Sequence, residues 1–429
     1  MSILVKNATL VSGKKSDVLI EGGKIAKIAS SLSASGADKL DASGKLLIPG
    51  LINTHTHAAM TLFRGIAEDM ELSDWLATIR KAEGLASGKE SDIKVAVSQV
   101  RAGSLLACAE MLKSGTTCFS DMYFHMDEVA KAVDKSGIRA TLSYGVVDMG
   151  DEKKRKSELS IGEKFIKDYQ GKSGGRIKCG IAPHSVYLCS PELLIKSNEL
   201  SEKYNAIYHI HLAETRKEVF DCLSSHKKRP AYYLDSLGVL SKRTVAAHCV
   251  WLTKEEVRLL SSKGVSSSLN PVSNMKLSGG GCAPMPEMEK SGMNISLGTD
   301  GSASNNSLSM FETMKTLGLL QKNTRWDATV AKDTAIFDAA TAGGARALGI
   351  NSGIIKEGAL ADLALLDLRA ANMAPLHSAV ANIVYSAHAG NVTDVIVDGA
   401  LVVEGRKLLT LDEEKIVDAA QKEAEKLIP

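Results

Sequence analysis

Eight short apolar runs, most followed by a helix-like stretch, constrain this 429-residue chain more than any other feature: LLIPGLINTH, TTCFSD, IRATLSYGVV, RIKCGIAPHS, AIYHIHLAE, RTVAAHC, VSSSLNP and ISLGTD. Alternating strand and helix signals point to a parallel sheet with helical crossovers, an α/β fold. Eight such units favour closure into a (β/α)8 TIM barrel, a single domain of about 250 residues. The seventh run, rich in serine, carries the weakest strand signal. Helix candidates such as SDIKVAVSQVRAGSLLACAEMLKSG and SPELLIKSNELSEKY place apolar residues three and four apart, and the second opens on Ser-Pro, a helix start.

The two ends of the chain read differently. ILVKNATLVSG, DVLIEGGKIAKIA and GKLLIPG are short strands with glycine turns and no helical period. The same texture returns in GALADLALLDL, NIVYSAHAG and NVTDVIVDGALVVEGRKLLTL, before an amphipathic helix, DEEKIVDAAQKEAEKLIP. Neither set has enough strands to fold alone, and unpaired strands must find partners for their backbone groups. The expected organisation is a small β-sandwich built from both termini, residues 1–50 and 351–429, flanking a barrel over 51–350.

Charge narrows the partners. Lys and Arg number 52 against 50 Asp and Glu, and a net charge of +2 gives no electrostatic reason to expect nucleic acid or an anionic membrane. No stretch approaches the roughly 18 uninterrupted apolar residues of a membrane span, and the N-terminus has no signal-peptide layout. The seven cysteines form no CxxC pair and are odd in number, which fits reduced thiols in a cytoplasmic protein. Cys249, beside His248, reads as a packing residue. Small molecules are the expected partners.

In a barrel, every strand delivers its last side chains to one shared mouth. Here the runs end on His55 and His57, on His211, on His248 and on Asp300. The period-two spacing of His55 and His57 sends both imidazoles to one side of a strand. Three imidazoles and a carboxylate, His55, His57, His211 and Asp300, suit one divalent ion: zinc first, with iron, nickel or manganese admitted by ligand type. Such an ion generates hydroxide near neutral pH. Glu214, three residues after His211, is placed to exchange protons with a substrate. His248 can polarise the attacking water, and Asp300 can accept its proton. Two-metal hydrolases of this architecture resemble one another in placing a modified lysine or a glutamate at the tip of strand 4. Here that tip reads Ala182, Pro183, His184, Ser185, so one metal is expected and His184 is left to touch substrate.

PGLINTHTHAAMTLFRGIAEDMELSDWL, APHSVYLCS, HIHLAET, AHCVWL, NPVSNMKLSGG and LGTDGSASNNSLSMFETMK closely resemble the amidohydrolase superfamily, in its methylthioadenosine/S-adenosylhomocysteine deaminase branch, which includes 5′-deoxyadenosine deaminases. The resemblance runs nearly end to end. It implies one metal per subunit, a homo-oligomer, and hydrolytic replacement of the adenine C6 amine by oxygen, with release of ammonia. It further implies that Glu214 protonates the purine ring at N1, that His184 contacts the purine, that Trp75 lies among the substrate-binding residues, and that Glu83, in the segment after it, holds the ribose hydroxyls. The Glu83 match is imperfect, because Arg80, Lys81 and Ala82 stand where many relatives carry a bulky residue and proline. Relatives that use S-adenosylhomocysteine offer arginines after strand 3 to its carboxylate; here Tyr144 stands at one such position and only Arg155 matches the other. That ranks 5′-deoxyadenosine and 5′-methylthioadenosine above S-adenosylhomocysteine, with adenosine itself a further substrate. Rival readings are guanine deamination or triazine dechlorination on the same scaffold, a two-metal cyclic amide hydrolase, and a catalytically silent metal-binding homologue.

Overall fold

The computed structural model describes residues 2–70, 72–83 and 96–427. Its centre is an eight-stranded parallel sheet whose strands follow one another in chain order. They are Leu51–Thr56, Thr116–Tyr123, Arg139–Val146, Ile177–Pro183, Ile207–Leu212, Thr244–His248, Ser266–Leu269 and Asn294–Leu297, called barrel strands 1 to 8 below. Each of the eight runs supplies one barrel strand, and the first, LLIPGLINTH, also carries most of Lys45–Pro49, a strand of the second sheet.

The barrel closes between strands 8 and 1 through backbone and side chains together. Asp300 N donates to His55 O at 3.0 Å, Thr54 Oγ1 to Leu297 O at 2.9 Å, and Asn53 Nδ2 to Thr299 Oγ1 at 2.7 Å. The serine-rich strand 7 is stable in this setting because its hydroxyls find partners. Ser268 Oγ lies within hydrogen-bond distance of Thr54 Oγ1, at 2.7 Å, and Asn294 Nδ2 donates to Ser266 Oγ at 3.0 Å, which removes the cost of burying them. Ser190 caps the helix Pro191–Tyr204 as its sequence suggests, accepting from Leu193 N.

Both termini meet in one nine-stranded mixed sheet. Lys45–Pro49 pairs antiparallel with Leu363–Asp367, which joins the two ends of the chain. Period two then sorts the side chains. Leu47, Leu363 and Leu365 enter a core belonging to this sheet, while Leu46, Ile48, Ala364 and Leu366 join the barrel's core. One expected strand is a helix: the NIVY of NIVYSAHAG lies in Ala379–Tyr385. Its apolar, β-branched content suggests a strand, but Ser378 caps it by accepting from Ala381 N, and Ile383 and Val384 pack into the barrel core. Tertiary burial overrides a short run's β-propensity here. The terminal helix spans Glu413–Glu425 and packs Ile416 beside Ala109 of the helix Val97–Lys113. Among the described residues, no helix is long and apolar enough to cross a membrane, and all seven cysteines are unpaired.

Candidate metal centre and active site

The C-terminal ends of the barrel strands gather the polar residues singled out above. The pairing between strands 1 and 2 shifts register between Asn53 and Thr56, the stretch that holds His55 and leads to His57. His211 lies on strand 5 and His248 ends strand 6. Asp300 stands three residues beyond strand 8, held at φ 63°. His248, at φ 72°, and Ala213, at φ 50°, are also left-handed. Non-glycine residues in this region are strained, and such strain concentrates at functional sites. Gly298 permits the close approach of strands 8 and 1, because a Cβ there would stand 2.7 Å from His55 Cβ.

Asp300 Oδ1 lies 3.4 Å from His55 Nε2 and 3.3 Å from His57 Nε2. Single ring nitrogens of His55, His57 and His211 fall within 4.8 Å of one another, as do ligand atoms of His55, His248 and Asp300. The other nitrogen of each ligand candidate is already engaged. His57 Nδ1 donates to Met122 O at 2.6 Å, His211 Nδ1 to His184 O at 2.8 Å, and His55 Nδ1 faces His209 Nε2 at 3.0 Å. Asp300 Oδ2 accepts from Ser273 Oγ at 2.6 Å and Ser304 Oγ at 3.0 Å, leaving Oδ1 toward the rings. His55 Nε2 is buried with no hydrogen bond. Rings oriented through Nδ1, with Nε2 lone pairs converging beside a carboxylate, fit a divalent metal.

The electrostatics agree. Burial pulls His55 down to about 4 despite Asp300, and burial with His184 close by holds His211 well below its ordinary value, so both are neutral and able to ligate. At His57 burial also disfavours charge, but Asp300 and the Met122 carbonyl outweigh it and lift the ring to about 9. Burial raises the Asp300 carboxyl less than His55 and His57 lower it, and the group stays ionised. The Asp300 carboxylate thus favours a cation beside it, and a divalent metal bound here would take the place of the His57 proton.

Around this centre stand the groups for proton chemistry. Glu214 is half-buried, and its desolvation raises its pKa above that of an ordinary carboxylate. Its Oε2 lies 3.9 Å from His248 Nε2. The amide nitrogens of Asn274 and Asn270 stand 3.0 and 3.3 Å from His248 Nδ1, so that nitrogen accepts and the ring proton sits on Nε2. The His184 ring lies 4.4 Å from that of His211 and 6.1 Å from Tyr187. Glu83 is buried and accepts from Tyr123 Oη at 2.7 Å, and the Tyr123 ring lies 6.4 Å from His57. Trp75 Nε1 donates to Ala303 O at 3.4 Å, against the turn that follows Asp300. Tyr144 is buried on strand 3. Arg155 is bound within the protein: its Nη1 donates to Asp148 Oδ2 at 3.1 Å and Ser190 Oγ at 3.0 Å.

Several participants escaped the sequence reading. His209 stands two residues before His211, a second HxH whose period-two signal was available. Asn274 lies inside NPVSNMKLSGG, but nothing in its spacing pairs it with His248. Glu218 carries the turn: Oε1 accepts from Ala213 N and Oε2 from Glu214 N, both at 2.8 Å.

A parallel barrel bearing a histidine-carboxylate metal cluster at the C-terminal ends of its strands belongs to the class of metal-dependent hydrolases. The amidohydrolase family model matches residues 46–402, and the chain belongs to that family. It is 45% identical to a 5′-deoxyadenosine deaminase of Methanosphaera stadtmanae, with 99% of each chain covered. It is 44% identical to a 5′-deoxyadenosine deaminase of Methanothermobacter thermautotrophicus, again with 99% of both covered. Among solved structures it is similar to a zinc-bound adenosine deaminase from Xanthomonas campestris, with a TM-score of 0.91, 30% identity, and 99% and 98% of the two chains covered.

Proposed function

We infer that the protein is a metal-dependent hydrolytic deaminase of 5′-substituted adenosines, with 5′-deoxyadenosine as its foremost substrate, yielding the inosine analogue and ammonia. The observation that carries this reading is end-to-end similarity to 5′-deoxyadenosine deaminases in a chain that keeps a proton carrier, Glu214, beside the ligand cluster. His55, His57, His211 and Asp300 are the residues we assign as ligands of one divalent ion, zinc being the first candidate. When bound, that ion supplies Lewis acidity and a water acidified toward neutral pH.

The chain's own residues do the rest. Glu214 gives a proton to purine N1 as charge builds there, and its raised pKa keeps more of that proton at neutral pH. His248 donates from Nε2 to the attacking oxygen and so fixes its direction. Asp300 Oδ1 receives the proton that the water loses, which then leaves with ammonia. His184 packs on the purine, Glu83 accepts from the ribose hydroxyls, and Trp75 walls the turn that bears Asp300.

The pairing of Arg155 with fully buried Asp148 supports the order of substrates. An arginine already neutralised inside the protein offers little to an amino-acid carboxylate, which places S-adenosylhomocysteine after 5′-deoxyadenosine and 5′-methylthioadenosine. The unpaired cysteines fit a cytoplasmic protein, and the family resemblance supports a homo-oligomer.

The test is ammonia release, followed with the adenine-to-hypoxanthine absorbance change, from zinc-loaded protein offered 5′-deoxyadenosine, 5′-methylthioadenosine, S-adenosylhomocysteine, adenosine and guanine. Highest kcat/KM on 5′-deoxyadenosine is the expected result. Turnover of guanine alone, or of no purine with metal bound, overturns the reading.

A further inference from the structure

His209 is fully buried on strand 5 and faces His55, one of the ligand candidates. Its Nε2 lies 3.0 Å from His55 Nδ1, its Nδ1 lies 3.4 Å from Ser120 Oγ, and its ring stands edge-on to that of His55 at 5.0 Å between centroids. Two neutral imidazoles facing each other through nitrogen can hold only one proton between them. Which ring holds it decides what His55 can do.

If His55 carries the proton on Nδ1, its Nε2 keeps a lone pair turned to the cluster. If His209 carries it on Nε2, His55 must place its own proton on Nε2, pointing at Asp300 Oδ1 3.4 Å away, and the lone pair is lost. His57 and His211 face no such choice, because Met122 O and His184 O can only accept. His55 alone of the three leans on a partner with two tautomers.

We propose that His209 is a positioning residue that sets the tautomer of His55: it holds its own proton on Nδ1, toward Ser120, and accepts from His55 Nδ1 through Nε2. This rests on His55 being a metal ligand. The role belongs to one atom, the acceptor at Nε2, and so predicts which replacement restores it. Glutamine can present an amide oxygen near that place, whereas leucine fills the volume without an acceptor.

The experiment measures zinc affinity of the metal-free full-length protein by competition with a chromogenic chelator, for the unmodified protein, His209→Gln, His209→Leu and His55→Ala, with thermal unfolding of each metal-free form. His209→Leu should bind zinc about 10- to 100-fold more weakly. His209→Gln should recover most of that loss, with similar unfolding temperatures for both variants. Undiminished affinity in His209→Leu, or equal loss in the two, overturns the proposal. His55→Ala separates the failures, because retained tight binding there sinks the ligand assignment instead. Should His209→Leu not fold, long-range proton–nitrogen spectra of the unmodified zinc-loaded protein, labelled at histidine and assigned with His209→Gln, decide the matter. A proton on His209 Nδ1 supports the proposal, and one on Nε2 overturns it.

Discussion

Glu214 and His211 sit three residues apart and are expected to fail differently. Glu214→Gln keeps the size of the side chain and leaves every ligand candidate in place, so zinc content should stay near one per chain while kcat falls by about 10²- to 10⁴-fold, the usual share of a proton carrier. His211→Ala removes a ring whose Nδ1 is anchored on His184 O, and should lose both metal and turnover. Metal analysis beside kinetics on the two variants checks this pair, and equal metal loss would sink Glu214 as a proton carrier. The four ligand candidates were visible in sequence because each ends a strand-like run and because barrels bring strand ends together. The partners that orient them were not. Met122 O, His184 O, Ser273 and Ser304 carry no chemical signature in the sequence, since any residue offers a carbonyl and most serines are unremarkable.

The turn after strand 5 shows the same division at the level of an element. HIHLAET contains the residues assigned to act, but Glu218, in the first turn of the helix Arg216–His226, holds the preceding turn in place by accepting from Ala213 N and Glu214 N. Thr215 caps that helix by accepting from Glu218 N. Burial lifts the Glu218 carboxyl to about 8 although both backbone donors oppose it. A folded-state value raised above the unfolded one, near 4.5, means that the stability linked to its proton is present below about pH 4.5 and is lost as pH rises through about 8. Glu218→Gln, which cannot ionise, should flatten the decline of urea stability between pH 5 and 8. The amide replaces one acceptor with a donor facing a backbone N–H, so the Glu214 turn should loosen and kcat fall on the order of 10²-fold, with zinc retained. A variant with the parent's pH slope would contradict the linkage. Unaltered kcat would show that Glu214 does not depend on this support.

Across the whole molecule, barrel and terminal sheet are tied by an ion cluster at the far end from the site. Arg139, on strand 3, donates through Nε to Asp362 Oδ2 and through Nη2 to Asp398 Oδ1, both at 2.8 Å, and Asp362 also accepts from Asp398 N. Removing one partner from a buried pair leaves an uncompensated charge. Arg139→Leu should therefore cost about 3–5 kcal/mol in urea unfolding while leaving the KM of surviving folded enzyme unchanged. A loss under about 1 kcal/mol would show that Asp362 is satisfied without it. The sequence alone determined the eight barrel strands, and it pointed to a shared sheet of the two termini and to candidates for the mouth, because period-two runs, helical spacing and chemically distinctive side chains are local signals. Only the tertiary structure decided that NIVY is helical, that Arg155 is neutralised by Asp148, and that His209 backs His55. Each depends on which groups a buried residue meets, and those neighbours come from parts of the chain that no local pattern connects.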